Sequence, residues 1–126
     1  MNIIYEGQVS LIEKVWPENE VMAGVKVKVV DMGKAMRLDF AAQEILDAGY
    51  VFTSVDILSQ FIQKLEPENF RLLPLATLTP ECQGPYVKVY LIGEICGSLY
   101  YAELWMNGLP QGTKLLVAKG RKYSAK

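Results

Sequence analysis

The chain has 126 residues, a length that suits one domain and leaves too few residues for a second independent core. Its composition, 51% hydrophobic and 21% charged with a formal net charge of −1, excludes long disorder, and no segment reaches the roughly 18 apolar residues of a membrane-spanning helix. There is no histidine, which removes Ser-His-Asp triads, Cys-His dyads and most catalytic zinc sites.

Residues 1–118 read as one folded unit and residues 119–126 as a basic tail. The opening stretch alternates, with Ile3, Tyr5, Val9, Leu11 and Val15 against Glu6, Gln8, Ser10 and Lys14, which is the period of a half-buried strand. The same polar residues break any apolar run over residues 1–25, so no secretory signal is expected. Trp16-Pro17-Glu18-Asn19-Glu20 reads as a turn, because proline fixes its own φ and biases its predecessor away from helix. Val25, Val27 and Val29 against Lys26 and Lys28 give a second strand. Asp31-Met32-Gly33-Lys34 then reverses the chain, and Met36, Leu38 and Phe40 against Arg37 and Asp39 give a third, completing an antiparallel meander.

The period changes in the middle. Ala41 to Ala48 is rich in helix formers and stops at Gly49, a C-terminal cap. Thr53-Ser54-Val55-Asp56 fits a capping box, and Leu58, Phe61, Ile62 and Leu65 follow at i, i+3, i+4 and i+7, the stripe of an amphipathic helix that Pro67 ends. Phe70 to Leu78 is a strand demoted by Pro74 to an edge or a connection, and Pro80 to Pro85 is a loop. Tyr86 to Ile95 and Leu99 to Met106 form a hairpin about Gly97-Ser98, and Lys114 to Ala118 is a last edge strand. The predicted fold is α+β: a largely antiparallel sheet, from an N-terminal three-stranded meander and a C-terminal hairpin plus edge strand, with two central helices on one face. A sheet of this make-up can curl into a partly open barrel.

Little catalytic chemistry is on offer. No GxGxxG or GxxxxGK[ST] pattern occurs, so neither a dinucleotide nor a phosphate loop is expected, and no cofactor is implied. Glu18 and Glu20 flank a turn and Glu66 and Glu68 flank Pro67, positions where exposed carboxylates are ordinary. Cys82 and Cys96 match no metal or redox spacing and read as reduced thiols of a cytoplasmic protein.

The informative feature is the hairpin. Pairing about Gly97-Ser98 sets Ile95 opposite Tyr100, Gly93 opposite Ala102, Leu91 opposite Leu104 and Val89 opposite Met106 on an apolar, core-facing side. The other side pairs Tyr90 with Trp105, Glu94 with Tyr101 and Ile92 with Glu103, beside Tyr86 and Lys88. Broad aromatic rings interleaved with charge suit a protein interface, so Tyr86, Lys88, Tyr90, Tyr101 and Trp105 are the candidate contact residues of a non-catalytic interaction module: an inhibitor, adaptor, immunity-type or self-associating protein. The plainer account is that these rings are good strand formers covered by other elements. The alternative function is a small nucleic-acid-binding barrel. After Glu103 the chain carries Lys114, Lys119, Arg121, Lys122 and Lys126 and no acid, and in that reading Lys119, Arg121 and Lys122 contact phosphates. An enzyme relying on carboxylate or lysine chemistry is the third reading.

Overall fold

Two long strands open the chain, β1 (Asn2–Val15) and β2 (Asn19–Asp31), paired antiparallel along their whole length. The computed structural model describes residues 1–15 and 19–120, with side chains described outside 11–23, so most of the turn expected at residues 16–20 lies outside the described residues. At the end of β2 the Asp31 carboxylate accepts the Gly33 amide at 2.8 Å and turns the chain as expected. The remaining elements are β3 (Met36–Arg37), α1 (Leu38–Asp47), β4 (Tyr50–Phe52), α2 (Val55–Gln63), a 3-10 turn (Pro67–Leu72), β5 (Leu75–Gln83), β6 (Tyr86–Ile95), β7 (Ser98–Met106), β8 (Gly108–Leu109) and β9 (Lys114–Lys119).

The class is the expected one, α+β with a mostly antiparallel sheet. The main sheet runs β1-β2-β9-β5-β6-β7, with β4 also paired to β9, and it does not close into a barrel. Among the described residues its one parallel contact joins β5 to β9.

Adjacent residues of the inner strands enter different cores. Val29, Leu75 and Leu116 meet Leu58, Phe61 and Ile62 of α2, while Val30, Ala76, Leu115 and Val117 meet Leu38, Ala41 and Ile45 of α1. Successive strand residues point to opposite faces, so the helices cover one face each instead of sharing a face. Both faces of β9 are therefore buried, and β9 is central where an edge strand was expected. Its Leu115-Leu116-Val117-Ala118 run is the continuous apolar pattern of a strand covered on both sides.

Three further expectations are corrected. The third strand of the meander is not formed: Leu38 begins α1, because Leu38, Ala41 and Ile45 make a buried helical stripe, and only Met36 and Arg37 remain as a short ribbon with β8. Ser54, not Thr53, caps α2 by accepting the Ile57 amide at 3.2 Å. Thr53 points inward, where its backbone carbonyl accepts the Thr77 hydroxyl at 2.6 Å and its own hydroxyl donates to the Leu116 carbonyl. Finally, Pro74 precedes β5 instead of interrupting it, so β5 is an inner strand that runs on through most of the expected loop to Gln83, with an irregularity between Leu78 and Cys82.

Candidate protein interface on the outer hairpin

The β6–β7 hairpin closes through Cys96 and Gly97, whose φ angles of 51° and 83° are both left-handed, as a type I′ turn requires. Glycine takes the second position without strain, and the Glu94 carboxylate accepts the Gly97 amide. The turn therefore lies one residue earlier than Gly97-Ser98, and the pairing shifts by two. Ile95 faces Ser98, Gly93 faces Tyr100, Tyr90 faces Glu103 and Lys88 faces Trp105. Tyr90 and Trp105 are not cross-strand partners. Because the shift is two, each residue keeps the side of the sheet that alternation gave it.

The five expected contact residues stay on that one side but differ in exposure. Tyr86, Tyr101 and Trp105 are 45%, 50% and 43% exposed. Tyr90 is half-buried against the α2 core, and the Tyr101 ring stacks on it at 5.9 Å between centroids, nearly parallel. Lys88 is tucked among acids: its ammonium lies 3.2 Å from Glu81, 3.9 Å from Glu103 and 5.7 Å from the Tyr90 ring centre. The hydrogen bond to Glu81 is the main reason the Lys88 amine is held above its ordinary range, and burial opposes it. The Tyr101 phenol is raised by burial first and by the Glu103 charge second, and its hydroxyl donates to Glu103 at 3.3 Å.

The opposite side of the hairpin, expected to be wholly core, is so only toward β5. Val89 is buried and Val87, Leu91 and Met106 pack against the α1 core, but Ile95, Tyr100 and Leu104 are exposed. At the other end of the hairpin a groove of about 1030 Å³ opens between the β3–β8 ribbon and the β5–β6 turn. Met36, Arg37, Cys82, Tyr86, Trp105 and Met106 contribute to its walls. Arg37 is already occupied: its guanidinium pairs with Asp39 at 2.7 Å and lies over the Phe40 ring at 4.8 Å. What the groove offers is an apolar, adaptable lining of methionine and aromatic groups, suited to holding side chains. Alternation of β6 and β7 gave the aromatic face, but the groove had no signal in the sequence because it joins three distant segments.

Among the described residues no group of three His, Cys, Asp or Glu side chains is placed to hold a metal ion, and no helix is long and apolar enough to cross a membrane. Cys82 and Cys96 are exposed and unbridged. Of the residues expected to contact phosphate, Lys119 is exposed at the end of β9, and Arg121 and Lys122 lie outside the described residues. Comparison with family models, curated proteins and solved structures gives no match, so the functional reading rests on this geometry.

Proposed function

We propose that this chain is a non-catalytic protein-interaction module of the inhibitor, adaptor or immunity type, and that it docks through the outer hairpin. The observation that carries the reading is the exposure of Tyr86, Tyr101 and Trp105 on one side of that hairpin, with the groove beside them. Tyrosine and tryptophan bring wide contact area with few torsions to freeze, and they dominate interface hot spots. The charges that border the rings are largely paired with one another, which suits an interface rim. Glu94 and Glu103 on the same hairpin, with Glu81 of β5 beside them, disfavour a polyanion, so nucleic-acid binding is the weaker reading. A reducing compartment such as the cytoplasm suits the two exposed thiols.

The test is a Y86S/W105S variant. Both side chains are exposed, so its melting temperature should stay close to that of the wild type. Proteins that co-purify with the wild-type chain from its native cell should be lost, since hot-spot aromatics contribute about 2 kcal/mol or more each. Unchanged recovery of those proteins by a folded variant would defeat the reading.

A further inference from the structure

We infer that the partner of this surface is a second copy of the chain, joined along β7 so that the two sheets continue into one. The inference rests on the reading of the hairpin as a docking element and names its occupant.

The two edges of the sheet are built differently. β1 is guarded by an irregularity between Ile3 and Tyr5 and by Glu6, which is ion-paired with Lys28 at 3.1 Å. Such devices keep edge strands from pairing with other chains. β7 is less guarded: its register with β6 is unbroken, Ser98–Met106 contains no proline or lysine, and its one charged residue is Glu103, 3.9 Å from the Lys88 ammonium of β6. Among the described residues β7 pairs only with β6. Its rings do not shield the edge either. Tyr101 leans back onto Tyr90 of β6, and the Tyr100 ring fills the space that a side chain on Gly93 of β6 would need.

The turn decides which backbone groups are free. In a two-residue hairpin the closing pair, here Ile95 and Ser98, is hydrogen-bonded, and bonded and non-bonded pairs alternate from there. Ser98, Tyr100, Ala102, Leu104 and Met106 therefore address β6, while Leu99, Tyr101, Glu103 and Trp105 turn their N–H and C=O groups outward.

The strand is complementary to itself in one register. Ala102 is the midpoint of Ser98–Met106. An antiparallel two-fold pairing about Ala102 sets Tyr101 opposite the partner's Glu103 and Leu99 opposite the partner's Trp105, so outward backbone groups meet outward groups. Tyr100 then faces the partner's Leu104. The smallest residue of the strand sits on the axis as a non-bonded pair, where the chains come within about 4.5 Å. The one charge meets a phenol, and Tyr101 already donates to the Glu103 of its own strand at 3.3 Å. Moving the axis to Glu103 would set two carboxylates face to face, and moving it to Tyr101 would leave Trp105 opposite the turn.

The test is sedimentation equilibrium of the full chain from about 1 μM to about 1 mM. The wild type should pass from monomer to dimer. Y101E places a carboxylate opposite the partner's Glu103 at two symmetry-related positions and should weaken the dimer about tenfold or more. Y101E/E103K makes those pairs opposite in charge and should recover it, which separates a register effect from loss of fold. On a C82S/C96S background, oxidised A102C should form a covalent dimer and L104C should not. A wild type that stays monomeric, a Y101E chain that dimerises as well as the wild type, a double variant without recovery, or equal cross-linking by L104C would each overturn the inference. If the wild type is monomeric but Y86S/W105S still loses a different protein, the second copy is refuted and the docking reading stands.

Discussion

Two phenylalanines give the sharpest test of the fold, because the structure puts one in each helix with opposite surroundings. Phe61 of α2 is 6% exposed, packed with Val9, Leu58 and Leu75, and meets Tyr5 edge-on at 5.7 Å between ring centres. Phe40 of α1 is 57% exposed and lies beneath the Arg37 guanidinium, 4.8 Å from its ring centre. Truncating a buried phenylalanine typically costs about 3–5 kcal/mol, and the edge-on pair contributes roughly 1 kcal/mol of that total. The Tyr5 ring borders a small surface pocket of about 120 Å³ and can relax toward it, which argues for the lower half of the range. F61A should therefore lose about 3–4 kcal/mol, which for a domain of this size lowers the melting temperature by more than about 10 °C. F40A should stay within about 1 kcal/mol of the wild type, the scale of an exposed cation–π contact. Urea unfolding of both variants, read by far-ultraviolet circular dichroism with the slope checked for constancy, measures the difference. A loss below about 0.5 kcal/mol in F61A, or equal losses in the two variants, would refute the assignment of α2 to the core.

Thr77 is fully buried and its hydroxyl donates to the Thr53 carbonyl at 2.6 Å, so T77V should cost about 1–3 kcal/mol by stranding that carbonyl, while T77S keeps most of the stability; urea midpoints decide. Lys28 is held above its ordinary 10.5 by hydrogen bonds to Glu6 and Tyr50, Lys88 by its bond to Glu81, and Tyr101 above its ordinary 10.0 by burial. A group whose pKa is raised on folding stabilises fully below its unfolded value and loses that contribution as the pH climbs through the folded one. The melting temperature should thus fall from about pH 10 upward, and K88M should flatten part of that fall; the same slope in K88M would show that its ion pairs contribute nothing measurable.

The parts of the fold that follow from a local period were legible in the sequence. Alternation placed β1, β2, β6 and β7, and the Leu58, Phe61 and Ile62 stripe placed α2 and its buried face. At Leu38 two periods competed. Met36, Leu38 and Phe40 alternate like a strand, but Leu38, Ala41 and Ile45 also fit a helical stripe, and packing against Val30 and Leu115 favoured the helix. Phe40 was left outside as a result. The order of strands was not legible, because no local pattern records that β9 enters between β2 and β5; the apolar run over residues 115–118 was the one available hint. The hairpin register illustrates a narrower limit. A slip of two residues preserves every inward and outward assignment, so hydrophobic pattern cannot detect it, and only the turn chemistry of Cys96-Gly97 distinguishes the two registers. For the same reason the aromatic face was found with the wrong partners: its membership depends on parity and survived, while the pairing of Tyr90 with Trp105 did not.

The exposure of the outer hairpin follows from the size of the cover. A helix is about 10–12 Å across and strands are spaced about 4.8 Å apart, so one helix shields two or three strands of a sheet. Here α1 and α2, of 10 and 9 residues, lie on opposite faces, α2 packing against Val9 and Tyr5 of β1 as well as the inner strands, while most of β7 stays exposed. The sheet handles its two edges differently. β1 is 14 residues long, is irregular near its start, and holds its place by pairing with the whole of β2. β7 is 9 residues long, regular, and apolar or aromatic at most positions on both sides. An edge of that composition is open to an intruding strand, and a chain that keeps one without proline, lysine or bulge gains nothing from it in isolation. The same composition becomes favourable once the edge is occupied, because the aromatic side chains then gain partners on both sides of the extended sheet and the outward amides of Leu99, Tyr101, Glu103 and Trp105 exchange water for carbonyls.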